Sequence, residues 1–117
     1  MLDRGLPGGR DKVHARLLRA ARADAERIDV GPAAPRALDQ DAISLLLVEK
    51  AREGKTVVRL KWGDPFVFDS GGKEALFLHE QQVPFEVVAG IPAGIGVPAY
   101  GGIGITFADA GDVVVVV

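Results

Sequence analysis

Along most of this chain, short apolar runs alternate with segments in which apolar residues recur at helical spacing. The apolar runs predict strands at residues 26–30, 57–60, 85–88 and 113–117. Between the first three runs, and before the first, the spacing of apolar residues predicts helices at residues 10–24, 39–54 and 73–82. Strand, helix and strand in that order require a right-handed parallel crossover. We therefore expect an α/β fold, an open parallel sheet of three or four strands with flanking helices.

The second of these helices has the clearest boundaries. Asp39 is suited to cap its N-terminus, Asp41 falls in the positively polarised first turn, and Gly54 follows its end. One side of the helix carries Ile43, Leu46, Leu47 and Lys50. The first helix has a basic face instead. That face is typical of a solvated surface, although Arg16, Arg19 or Arg22 is also suited to attract an acidic ligand.

Two glycine-rich turns follow neighbouring predicted strands, where open α/β sheets bind ligands. The first contains Gly63, Asp64 and Pro65, and the second is Gly90-Ile91-Pro92. In such a turn glycine admits a ligand close to the backbone, and Asp64 offers oxygens to hydroxyl or amino groups. Taken alone, the first turn also fits a tight turn with a self-capping aspartate.

Three further features have two interpretations each. Gly71-Gly72 reads as a helix start capped by Ser70, or as free amides that capture an anion. Phe66 and Phe68 alternate with Val67, which favours a core role over a stacking platform. The segment 91–104 has too many glycines for a stable free helix. We therefore expect close packing there, with Pro92 in the first turn of any helix that forms.

Composition narrows the class of protein. The chain has 117 residues, of which 48% are hydrophobic and 26% are charged, and its net charge of -2 argues against nucleic acid as a partner. We expect no membrane span and no signal peptide, hence a cytoplasmic protein. There is no cysteine, and the two histidines, His14 and His79, are far apart, so no metal site is expected.

Four stretches in order resemble the tetrapyrrole methylases, most closely the uroporphyrinogen-III C-methyltransferases. They are VVRLKWGDPFVF, GGKEA, VPFEVVAGIPA and PAYGGI. The resemblance implies S-adenosylmethionine as cofactor, uroporphyrinogen III as the tetrapyrrole substrate on the route to sirohaem and cobalamin, and a homodimer. It also implies that residues 1–117 form a single, partial N-terminal domain. The family's opening strand and its C-terminal domain, which closes the cofactor cleft, have no counterpart in this sequence.

The resemblance also implies site residues. The first glycine-rich turn carries over as cofactor-binding at Trp62, Gly63, Asp64 and Val67, and the second carries over at Pro92 and Ala93. Trp62 replaces a glycine of the family, so its indole either stacks on adenine or blocks the pocket. Pro92 replaces a threonine or serine and thereby loses a hydroxyl and a backbone donor.

The acid–base residues of the family are only partly present. Asp3 corresponds to the aspartate assigned as catalytic proton acceptor, although it also fits a frayed terminal carboxylate. The family's lysine proton donor is missing, because Pro32 follows Val30-Gly31. The alternative to a methyltransferase is therefore a truncated, non-catalytic paralogue that serves as a binding or dimerisation module.

Overall fold

Helices are the regular elements of the described part of this chain. The structure is a computed structural model that describes residues 15–31 and 37–116. Its helices, in chain order, are α1 (Ala15–Arg19), α2 (Gln40–Arg52), α3 (Gly71–Glu80) and α4 (Ala93–Tyr100). Three of them fall where the sequence predicts a helix, and α4 falls in the glycine-rich segment 91–104, where Pro92 was predicted in a first turn.

Helix α2 confirms its predicted boundaries. The side chain of Asp39 accepts a hydrogen bond from the Ala42 N–H at 2.8 Å, which satisfies one of the unpaired donors of the first turn. Beyond the C-terminus, Gly54 has a φ of 78°, a left-handed conformation that glycine adopts at little cost. The helix buries Ile43 and Leu47 as the pattern predicts.

The core lies around α2 and is small. Its buried hydrophobic side chains are Val30, Ile43, Leu47 and Val48. Helix α3 packs against α2, and the contact carries a buried carboxylate, Glu74, as well as a buried hydroxyl, Ser44. Polar groups at a helix interface are tolerated when they are hydrogen-bonded to one another. The α2–α3 contact is therefore held partly by hydrogen bonds.

The predicted parallel sheet is not confirmed. Within residues 15–31 and 37–116 the backbone forms only isolated bridges, at Asp29 and Leu60 and between Phe107 and Gly111. The runs 57–60 and 85–88 lie outside any strand, and Val58 and Val88 are exposed. An extended segment becomes a β-strand only where a neighbouring backbone completes the hydrogen-bond ladder. Apolar composition predicts the run, but it does not supply that neighbour.

Several predictions of burial in the C-terminal part are wrong. Residues 113–116 are exposed rather than buried, and Phe66 and Phe68 are half and four-fifths exposed, so neither is a core residue. None of the eight residues of α4 is buried, although close packing was expected there. Few described residues pack over these apolar side chains, which explains why their hydrophobic character does not lead to burial.

Helix α1 ends earlier than its pattern predicts. It ends at Arg19, and the chain then turns through residues 20–24. Leu17 is more than half exposed, so this end of the helix has little apolar contact to sustain it. A helix end without such contacts is marginal in water. Arg22 pairs with the exposed Asp24 at 3.2 Å, as a solvated surface residue would.

Asp39→Ala tests the cap of α2. We expect a loss of about 1 kcal/mol in the free energy of unfolding, measured by urea denaturation, because the Ala42 amide loses its acceptor. Asp39→Asn keeps a capping oxygen and should behave as the unmodified chain. Equal losses in both variants would contradict the role of the cap.

Candidate functional site

The two glycine-rich turns predicted as a binding site lie in contact. Gly63 has a φ of 64°, and a Cβ built on it would sit 3.6 Å from Pro92 Cα and 3.7 Å from the Ile91 carbonyl oxygen. In the second turn, a Cβ built on Gly90 would collide with the carbonyl oxygen of Gly63. The two turns therefore approach so closely that Gly90 has no room for a side chain.

Asp64 holds the two turns together. Its Oδ1 accepts a hydrogen bond from the Phe66 N–H at 2.9 Å, which closes the local turn. Its Oδ2 accepts from the Gly90 N–H at 2.9 Å, across 26 residues of sequence. The local turn is the self-capping arrangement that the sequence allowed, and the second bond adds a long-range link. Each carboxylate oxygen still has a lone pair with which to accept a further hydrogen bond.

The loop between Asp64 and α3 is closed by backbone contacts. The Gly71 N–H donates to the Pro65 carbonyl oxygen at 3.0 Å, and a Cβ on Gly71 would collide with that oxygen. The amide of Gly71 is thus occupied rather than free for anion capture. Ser70 precedes α3, but its side chain makes no capping bond, so the prediction that Ser70 caps this helix is wrong.

Pro92 stands at the N-terminus of α4. Its φ and ψ of -60° and 145° place it at the cap position, one residue before the first turn in which it was predicted. Its carbonyl oxygen accepts from the amides of Ile95 and Gly96, at 3.0 and 2.9 Å. A proline offers no side-chain acceptor and no N–H, so the helix begins without a side-chain cap.

A cluster of buried charges lies beside the first turn and escaped the sequence analysis. The side chains of Arg59, Lys61 and Glu74 are 11%, 4% and 5% exposed. Glu74 Oε1 lies 3.2 Å from Arg59 Nη2 and 3.3 Å from Lys61 Nζ. Lys61 Nζ also lies 2.6 Å from Asp69 Oδ1, so two cations face two carboxylates. This balance makes burial tolerable, since an unpaired buried charge is costly.

Neutral side chains complete this cluster. The Gln40 amide donates to Glu74 Oε1 at 3.0 Å, and the Ser70 hydroxyl donates to the same oxygen at 3.2 Å. Two spacings in the sequence could have revealed the cluster. Arg59 and Lys61 are two apart in an extended run, and Ser70 and Glu74 are four apart at the start of a helix, so each pair shares a face.

The two carboxyl groups of the cluster are held in their charged forms. Burial raises the pKa of Glu74, but Arg59, Gln40 and Lys61 together lower the pKa below its ordinary 4.5. For Asp69, burial again raises the pKa, while hydrogen bonds from Lys61 and Ser70 lower it below 3.8. The partners outweigh burial in both cases, so both groups are anionic at neutral pH.

The other predicted site residues differ in their placement. Trp62 and Val67 are exposed beside Gly63 and Asp64, and Ala93 is half-buried in the first turn of α4. Asp3 and His14 lie outside the described residues.

Among the residues that the structure describes, no cluster of three metal-ligating side chains occurs. No helix in the same part of the chain is long and apolar enough to cross a bilayer.

The family is decided by a sequence profile. The profile described as Tetrapyrrole (Corrin/Porphyrin) Methylases matches residues 7–117. The chain belongs to the tetrapyrrole methylase family. Among curated members, it is 53% identical over 94 residues to the siroheme synthase of Pseudomonas putida strain W619, covering 80% of this chain and 20% of that protein. It is 48% identical over 97 residues to the uroporphyrinogen-III C-methyltransferase of Methanocaldococcus jannaschii, covering 82% of this chain and 40% of that protein.

Solved structures of tetrapyrrole methylases are similar to this chain. Uroporphyrin-III C-methyltransferase of Thermus thermophilus matches with a TM-score of 0.57 and 42% identity over 67% of this chain and 38% of that one. The complex of the Thermus thermophilus enzyme with S-adenosylhomocysteine also gives 0.57, at 40% identity over 74% of this chain and 35% of that one. This chain thus spans between a fifth and two fifths of the length of these tetrapyrrole methylases.

Gly90→Ala tests the close approach of the two turns. The added methyl group collides with the Gly63 carbonyl, so we expect a loss of about 2 kcal/mol in the free energy of unfolding, as for other overpacked sites. Gly94→Ala is the matched control, because a Cβ at Gly94 meets nothing within 4 Å. It should be neutral or stabilising by up to about 1 kcal/mol. Similar losses in both variants, measured by urea denaturation, would argue against a tight contact.

Glu74→Gln tests the charge cluster. The folded-state pKa of Glu74 lies below the unfolded one, so its stabilisation is complete above about pH 4.5 and is lost as pH falls through the folded-state pKa. We expect the variant to lose about 3 kcal/mol at pH 7 and to show a shallower decline in stability below pH 4.5. Glu80→Gln, exposed on the same helix, is the control. An unchanged pH profile in Glu74→Gln would refute the assignment.

Proposed function

We propose that this chain provides part of the S-adenosylmethionine site of a C-methyltransferase that acts on uroporphyrinogen III, in the formation of sirohaem and cobalamin. The observation that carries the proposal is the joined pair of turns, in which Asp64 reaches Gly90 at 2.9 Å. The family match over residues 7–117 supports it, as does the Thermus thermophilus enzyme complexed with S-adenosylhomocysteine.

The residues of the joined turns suit such a ligand. Asp64 keeps acceptor capacity for hydroxyl or amino groups, and glycine at position 63 keeps the backbone accessible. The Trp62 indole is half exposed, and it offers a flat apolar face for an adenine ring. Val67, which is exposed, and Ala93, in the first turn of α4, offer apolar surface nearby in sequence to the two turns. Trp62 and Val67 are exposed, so the site is open to solvent within the described residues.

In this proposal the protein mainly binds, orients and shields the reactants. When bound, S-adenosylmethionine would supply an electrophilic methyl group: attack by a tetrapyrrole carbon would break the methyl–sulfur bond in line, and S-adenosylhomocysteine would leave. The joined turns orient the cofactor for that displacement. Asp3 is proposed to accept the proton that leaves the methylated carbon, and a carboxylate is chemically suited to that role. The family resemblance further supports a homodimer, and the composition supports a cytoplasmic enzyme.

A non-catalytic binding or dimerisation module is the second candidate. It is favoured by the exposed valines at positions 113–116 and by α4, in which none of the eight residues is buried. Apolar surfaces of this kind are typical of sites that associate with another protein surface. Such a module would keep the fold and the joined turns without transferring methyl groups.

Calorimetric titration with S-adenosylhomocysteine separates the two candidates. We expect binding by the folded chain, and about tenfold weaker binding by Asp64→Asn, because asparagine has one side-chain oxygen and cannot serve both Phe66 and Gly90. Asp112→Asn, exposed and outside the turns, is the control and should bind normally. A folded chain that does not bind the ligand would favour the non-catalytic module.

A further inference from the structure

Lys61 joins the two ends of the loop that carries Gly63 and Asp64. It lies immediately before Trp62, and its Nζ contacts Asp69 Oδ1 at 2.6 Å and the Ser70 hydroxyl at 2.8 Å. These partners are eight and nine residues further along the chain. The Lys61 side chain is 4% exposed, so water contributes little to its solvation. The buried ammonium group has lost its hydration, and its contacts with the far end of the same loop compensate for that loss.

Apolar packing does not fix this loop. Phe66 is half exposed, and Phe68 is 81% exposed with a φ of 52°, which is unusual for a non-glycine residue. The Gly71 N–H to Pro65 carbonyl bond closes only the C-terminal part of the loop. The contacts of Lys61 with Asp69 and Ser70 link the start of the loop to its end.

The charges around Lys61 also fix its position. Asp69 lies on one side, and Glu74, at 3.3 Å, lies on the side of α3. Arg59 shares Glu74 at 3.2 Å, and Gln40 reaches the same oxygen from α2. A displacement of Lys61 would leave two carboxylates with a single cation in a buried position, which is unfavourable. The ammonium is thus anchored to α2 and α3 through Glu74.

We infer that Lys61 is a positioning residue, which holds the loop so that Asp64 reaches Gly90 and the two turns form one surface. It does not touch a ligand in this account. Its effect passes through the backbone of Gly63 and Asp64. The ligand-binding part of the inference rests on the proposed function, whereas the part that concerns Asp64 and Gly90 does not.

The first experiment needs no ligand. In the ¹⁵N-labelled chain carrying Lys61→Met, we expect the Gly90 amide to lose about tenfold in protection from hydrogen exchange, because its acceptor on Asp64 moves away. Amides in the middle of α2 should keep the protection of the unmodified chain under conditions where both are folded. Lys73→Met, exposed on α3, is the matched control. An unchanged Gly90 amide in folded Lys61→Met would overturn the inference.

The second experiment is a double-mutant cycle for S-adenosylhomocysteine binding. We expect Lys61→Met to weaken binding roughly tenfold, and Asp64→Asn to weaken it similarly. The double variant should bind no more weakly than either one, because both act through the same link. If the two losses in affinity multiplied in the double variant, Lys61 and Asp64 would act independently. Lys61 would then have only a general role in stability.

Two further outcomes remain decisive. Where Lys61→Met does not fold, Asp69→Asn weakens the same link from the more exposed side, and the Gly90 amide should lose protection in the same way. Retained protection in Asp69→Asn would count against the inference. Where the unmodified chain fails to bind S-adenosylhomocysteine, the proposed function fails, and the Gly90 amide still tests Lys61 independently.

Discussion

The carboxylate of Asp64 accepts one hydrogen bond from its own turn and one from Gly90, and this pair of bonds joins two loops that are 26 residues apart. The arrangement depends on glycine at two positions. Gly63 adopts a left-handed conformation, and Gly90 lies so close to the Gly63 carbonyl that no side chain fits. A single acidic side chain and two glycines therefore create the surface that we assign to the cofactor.

The buried charge cluster supports this surface from one side. Arg59, Lys61, Asp69 and Glu74 balance one another, and Glu74 carries the contact from α3 to Gln40 on α2. Such clusters contribute little net stability compared with apolar residues, but they strongly disfavour alternative arrangements in which a charge loses its partner. Among the described residues only four hydrophobic side chains are buried, so this selectivity for one arrangement carries more weight there.

Local chemistry in the sequence predicted the helices better than it predicted burial. Asp39 and Gly54 bound α2 as expected, because capping and the left-handed glycine depend on residues close in the chain. Phe68 and the valines at 113–116 were expected to be buried and are exposed, because burial depends on what packs over them. The sheet is unconfirmed for the same reason, since a ladder needs a second backbone. The spacing of Lys61 from Arg59 could have indicated a shared face, but its partners Asp69 and Ser70 become neighbours only after the loop closes.

The same distinction applies to the candidate site. The sequence pattern located both glycine-rich turns and allowed two roles for Asp64, binding a ligand or capping its own turn. In the structure its Oδ1 makes the self-capping bond with Phe66, and its Oδ2 accepts from Gly90. Asp64 therefore has a structural role before any role toward a ligand. Spacing along the chain could not reveal the bond to Gly90, because Gly90 becomes the partner of Asp64 only through the fold.

Mapping of amide chemical shifts during addition of S-adenosylhomocysteine tests the central claim most directly. If the two turns form one binding surface, the amides of Gly63 and Gly90 should shift together, with a single dissociation constant, while residues 45–49 on α2 remain unchanged. Shifts confined to one turn, or centred on α2, would contradict the account.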